Sequence, residues 1–325
     1  MRRRDFVIAM GASLASVSFG AIAKPRRMRK IGLLLPSTRA GYESRIEGLR
    51  SGLLARGYVE GQNIEIEFRF ADNRYERLPR LAAGLVALGV EVLVTAGTPG
   101  AMATKRTTAT IPIVIASISD PVATGVVASL ARSGGNITGA MFFVAEVNAK
   151  RVEYLKDALP HMKRVAALTN PLNASMEPVL NQVKQAANAL GVEVERFGVR
   201  APDEFDAAFS AMAARRADAV VIIEDAMLNA NAGLLGAMAS AHRLPSIGLD
   251  QVAEGGGLFA FGVNQHEMFR RAAFYVDRIL RGARPEELPI ERSTRSELTI
   301  NLRTAHALRL VLPASLTKRA DRVIE

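Results

Sequence analysis

From Arg29 onward, short apolar runs alternate with helix-length amphipathic segments, and this rhythm constrains the fold more than any other feature of the chain. Ile31 to Leu35 reads as a buried strand stopped by Pro36. Residues 40–56 then place Ile46, Leu49 and Leu53 at helical spacing before Gly57. Strands follow at 64–68, 91–96, 111–116 and 137–141, with helices predicted at 74–88, 99–107 and 122–131. The second half repeats the pattern, with strands at 164–168, 192–198, 218–223, 246–249 and 258–261. Its helices read at 146–158, 174–190, 203–215 and 227–243, followed by a long helix at 265–281 and a last strand near 297–301. Alternation at this period predicts an α/β chain of parallel sheets, covered on both faces and joined by right-handed crossovers. About ten strands divide into two sheets of five or six, with the break near Gly134 to Gly139.

The first 23 residues follow another logic. Arg3 and Arg4 precede Asp5, Phe6 and Val7, a twin-arginine pattern, and a mildly apolar stretch from Val7 to Ala23 ends on Ala21, Ile22 and Ala23. This is the layout of a secretory signal, too short and polar for a membrane span, and it predicts export to the periplasm with cleavage near Ala23. An ordinary Sec signal with an extra arginine is the alternative. The formal net charge is +10, of which residues 1–23 supply +2 through three arginines and one aspartate. The remaining basic residues are spread along the chain, and no aromatic-basic motif accompanies them, so nucleic acid is not the expected partner. Zero cysteines exclude a disulfide framework, a thiolate nucleophile and a cysteine metal site. The four histidines stand far apart, without metal spacing, and neither a Walker loop nor a serine elbow is present. Catalysis, a metal and a cofactor are therefore not expected.

In open parallel sheets, ligands bind beyond the carboxyl ends of the strands. Those ends carry Ser37 and Thr38, then Thr95, Gly97 and Thr98, then Ser117, Ser119 and Asp120. In the second half they carry Asn170, Glu224 with Asp225, and Asp250. Thr98 followed by Pro99 reads as a helix start, either a plain cap or an anion site built on free N–H groups. Asp120 reads as a cap or a ligand contact. Glu224 and Asp225 read as a cap or as acceptors for a ligand's ammonium group.

Several segments now combine into one resemblance. Gly97 to Ala103, Ile111 to Val114, Ser119 to Pro121, Ser133 to Gly139, Leu155 to Pro160, Asn170-Pro171 and Gly256 to Leu258 occur in order. With the tail segments Glu297 to Leu302, Pro313 to Leu316 and Arg319 to Ile324, they resemble the ABC-transporter substrate-binding proteins that include tryptophan- and tyrosine-binding members. The resemblance implies a type I periplasmic binding fold: two Rossmann-like lobes, three crossing strands and a cleft that closes on a small solute. It implies lobes of 29–139 plus 264–290 and of 140–263 plus 291–325. The family's binding loops correspond to Thr38, Gly97, Thr98, Ser117, Asp120, Asn170 and Asp225, and the strand ends add Asp250. The implied partner is an inner-membrane ABC permease, served by a monomeric receptor that binds an amino acid or related carboxylate. The same fold can instead feed a membrane kinase or chemoreceptor as a sensor.

Overall fold

Unbroken apolar strands need cover on both faces, and each apolar run here becomes a strand flanked by helices. The computed structural model describes residues 28–325, so the export signal read at 1–23 lies outside the described residues. The first lobe begins with β1 (Arg29–Leu35), α1 (Arg39–Leu54), β2 (Ile64–Phe70), α2 (Leu78–Ala87) and β3 (Val92–Ala96). It continues with α3 (Gly97–Thr107), β4 (Ile113–Ile118) and β5 (Ile137–Met141). The second lobe holds α4 (Val144–Ala158), β6 (Arg164–Thr169), α5 (Met176–Ala189), β7 (Glu193–Gly198), α6 (Phe205–Ala214) and β8 (Ala219–Ile222). There follow α7 (Ala226–Ala230), α8 (Ala232–Ala241), β9 (Ser246–Gly248), α9 (Asp250–Glu254) and β10 (Phe259–Val263). The chain returns to the first lobe as α10 (Gln265–Leu280) and β11 (Glu291–Arg292). It ends in the second lobe as β12 (Ser296–Asn301), α11 (Leu302–Ala307), α12 (Ala314–Thr317) and β13 (Arg322–Ile324).

The first sheet has six strands in the order β11-β5-β4-β3-β1-β2, and the second has seven in the order β13-β12-β10-β9-β8-β6-β7. All pairs are parallel except β10 with β12, which run antiparallel. Both faces of β1 are buried: Ile31, Leu33 and Leu35 pack with α1 and α10, while Leu34 packs with α2 on the other side. The two-sided burial explains why this strand reads as a continuous apolar run rather than an alternating one.

The described residues hold thirteen strands rather than about ten, because short strands such as β11 and β13 extend the sheet edges, and three further sequence expectations need correction. No helix forms over 122–131. Asp120 Oδ1 instead accepts from Val122 N and Ala123 N, and Ser129 makes a second turn with Arg132, local bonds that displace a helical ladder. The helix expected at 227–243 is two helices, broken at Asn231, whose backbone leaves helical geometry (φ −112°) and whose Nδ2 donates to Met227 O. Finally, β5 extends to Met141, and Glu291 and Arg292 pair with it in the first sheet, so the first and third crossings fall after the expected limits of 139 and 290. Thr138 Oγ1 donates to Leu288 O, and Arg271 of α10 grips Glu291 with two hydrogen bonds, which fastens this returning segment to the first lobe.

Candidate functional site

The carboxyl ends of β3 and β4 in the first lobe face the segment after β8 in the second, and a cavity of ≈ 50 Å³ lies between them. Gly97 and Ser117 line it from one side, and Asn173, Glu224 and Asp225 line it from the other. Phe142, at a crossing, and Phe269, on α10, supply apolar wall. Beside it runs a wider groove of ≈ 600 Å³, and Arg45, Asn229 and Gln265 border both spaces.

Gly97 adopts a positive φ of 72°, a conformation that suits glycine, and turns β3 directly into α3. The helix therefore starts earlier than the Thr98-Pro99 pair suggests. Ala96 occupies the cap position, and the Thr98 hydroxyl is buried without a hydrogen-bond partner. Thr98 is thus not the cap, and Pro99, not Thr98, lines the cavity. Thr38 does cap a helix, its Oγ1 accepting from Gly41 N at 3.2 Å at the start of α1, but it stands outside the cavity lining. Asp120 is spent on its own turn and also lies outside that lining.

In the second lobe, Asp225 caps α7 and is 3% exposed. Its Oδ1 accepts from Met227 N at 2.9 Å, Leu228 N at 3.4 Å and Asn170 Nδ2 at 3.0 Å. Its Oδ2 accepts from Asn173 Nδ2 at 2.9 Å and, across the cleft, from the Tyr75 hydroxyl at 2.8 Å. Asn170 therefore positions Asp225 from behind rather than lining the cavity. Glu224 is also engaged, with Oε1 2.6 Å from Arg151 Nη2 and Oε2 accepting from Asn148 Nδ2 at 2.6 Å. Of the two readings of this carboxylate pair, the cap applies to Asp225; protein donors occupy both its oxygens and Glu224 Oε2, while Glu224 Oε1 faces the Arg151 cation without a hydrogen bond. Asp250 lines the groove instead of the cavity, accepts from Thr299 Oγ1 at 3.2 Å, and has its carboxyl pushed up by burial.

The residue that sequence reasoning missed is Arg45. It is 7% exposed, lines the cavity, and has no carboxylate paired with it among the described residues. Its guanidinium lies 4.8 Å from the Tyr42 ring centroid. Burial pushes the guanidinium down and the Tyr42 phenol up to about 12, so the two neighbours are a cation and a neutral phenol. A signal for Arg45 was present: Tyr42, Ile46, Leu49 and Leu53 form the buried stripe of α1, and Arg45 falls among them. A charged residue inside an apolar stripe needs a partner.

The family described as ABC transporter substrate binding protein matches residues 30–324. A tyrosine-binding protein of Clostridioides difficile is 23% identical over 284 residues, spanning 87% of this chain and 81% of that one. The structure of an ABC domain in complex with L-Trp from Streptococcus pneumoniae matches with a TM-score of 0.83 and 25% identity, covering 91% of this chain and 100% of that one. A conserved domain protein from Vibrio cholerae matches with a TM-score of 0.86 and 26% identity, over the same 91% and 100%. The fold is that of the type I periplasmic binding proteins.

Proposed function

The chain belongs to the ABC transporter substrate-binding protein family, and from that premise we propose that it captures a small carboxylate-bearing solute between its lobes and delivers it to an inner-membrane ABC permease. One observation carries this reading: Arg45 is a buried guanidinium at the cavity with no carboxylate to pair with it among the described residues. A solute carboxylate supplies the missing charge and can accept two parallel N–H bonds. The start of α3 reinforces the site, because Gly97 brings free backbone N–H groups and the positive end of a helix dipole to the same cavity. The names of two relatives, which bind tyrosine and L-Trp, agree with a carboxylate ligand. Hinge closure then works as selection: a ligand that touches both lobes favours the closed arrangement over the open one.

A thermal-shift series with amino acids and small carboxylates tests the reading. A ligand at 100 times its dissociation constant stabilises the fold by about 2.7 kcal/mol. Failure of every carboxylate to raise the melting temperature refutes the proposal.

Closure itself has a steric test. A Cβ added at Gly41, on α1, would sit 2.2 Å from Ala230 Cβ on the opposite lobe. Gly41→Ala should therefore weaken ligand binding about tenfold or more, since overpacking costs about 1–3 kcal/mol in the closed state. The unliganded melting temperature should not fall, because alanine favours the helix. Unchanged affinity in this variant would show that the lobes bind ligand without approaching so closely.

Periplasmic delivery rests on the export signal at 1–23. Replacing Arg3 and Arg4 by lysine should leave unprocessed precursor in the cytoplasm, whereas normal processing in that variant points to the Sec route.

A further inference from the structure

Asp225 is where an amino acid's ammonium group would be expected to bind, yet its fifth hydrogen bond comes from the protein. Tyr75 stands just after β2 in the first lobe and reaches across the cleft, its hydroxyl donating to Asp225 Oδ2 at 2.8 Å. Burial and the Asp225 charge hold this phenol well above its ordinary range, so it remains a donor at every physiological pH. The other carboxylate at the cavity, Glu224, is paired with the Arg151 cation and accepts from Asn148 through Oε2. Among the described residues that line the cavity, the unpaired charge is the Arg45 cation. An ammonium brought into this space meets the like charge of Arg45, and the carboxylate oxygen there that makes no hydrogen bond, Glu224 Oε1, already stands 2.6 Å from the Arg151 cation. Burying an ammonium without a partner is strongly unfavourable.

We propose that Tyr75 sets the ligand class of this cleft: by occupying Asp225 from the opposite lobe, it selects carboxylates that lack an α-ammonium over the corresponding amino acids. The inference rests on the reading of Arg45 as the carboxylate anchor. It gives Tyr75 two effects at once. The phenol bridges the lobes as the cleft closes, and it fills the position where a zwitterion would place its charged nitrogen.

Matched probes separate the two readings. Calorimetric titration of the whole chain with L-phenylalanine and 3-phenylpropanoate, L-leucine and 4-methylpentanoate, and L-glutamate and glutarate compares each amino acid with its deaminated partner. In any pair that binds, the deaminated acid should bind roughly ten- to a hundredfold tighter, the span expected for an unmade hydrogen bond to a charged group. Tyr75→Phe frees one lone pair of Asp225 and should narrow that ratio at least about tenfold by strengthening the amino acid. An amino acid that binds the unaltered protein as tightly as its partner overturns the inference, and if Arg45→Gln weakens both, the carboxylate reading survives. A ratio unmoved by Tyr75→Phe overturns the role of Tyr75. If no probe of any pair binds, the carboxylate reading fails and this inference fails with it. The ratio in the unaltered protein still decides the ligand class even where the Tyr75 variant folds poorly.

Discussion

Replacing Arg45 by glutamine is expected to lower affinity for a carboxylate ligand about a hundredfold without lowering the melting temperature of the unliganded protein. The two halves of this expectation share one cause. Arg45 is 7% exposed and has no carboxylate beside it among the described residues, so the free protein bears its desolvation without an ion pair in return. Glutamine keeps a polar, hydrogen-bonding head and removes the charge. Hydrogen bonds to charged groups contribute about 1.5–3 kcal/mol each, so losing a bidentate contact reaches a hundredfold in affinity. Titration calorimetry and a melting curve on one sample separate the outcomes. Unchanged affinity together with a lowered melting temperature would mark Arg45 as part of the scaffold, held by its packing over Tyr42.

The contrast between Arg45 and the residues expected from sequence shows what a single chain reveals about itself. Strand and helix positions were legible because burial imposes a period, and β1, α1 and α10 follow theirs closely. The strand ends were legible too, which is why Gly97, Ser117 and Asp225 were found near the cavity. What remained hidden depended on contacts distant in sequence. Tyr75 and Asp225 are 150 residues apart, and nothing local in either segment reports that their side chains meet. Asn170 looked like a ligand contact but serves Asp225, 55 residues further on. Thr98 misled for a different reason: threonine before proline is a sound start signal, but Gly97 makes the turn from strand to helix with a positive φ, so the start lies before Thr98. The region 122–131 has helical composition, yet Asp120 and Ser129 supply nearer partners for its backbone.

The largest loss of stability should follow Arg151→Met. Arg151 is fully buried on α4, the first helix after the chain crosses into the second lobe. Its Nε donates to Phe261 O on β10 at 2.7 Å, and its Nη1 donates to Ile222 O on β8 at 2.9 Å. Its Nη2 stands 2.6 Å from Glu224 Oε1. One side chain thus joins α4 to two strands and neutralises a carboxylate that is 4% exposed. Removing it leaves Glu224 charged and buried without a cation, a situation that costs about 3–5 kcal/mol. Combining Arg151→Met with Glu224→Gln removes the stranded charge and should recover most of that loss, because a buried ion pair contributes little beyond a well-packed neutral replacement. Urea unfolding of the single and double variants measures both quantities as a mutant cycle. A single-variant cost below about 1 kcal/mol would mean that water or a neighbouring donor reaches Glu224, and the ion pair would then not be what braces this wall of the cleft.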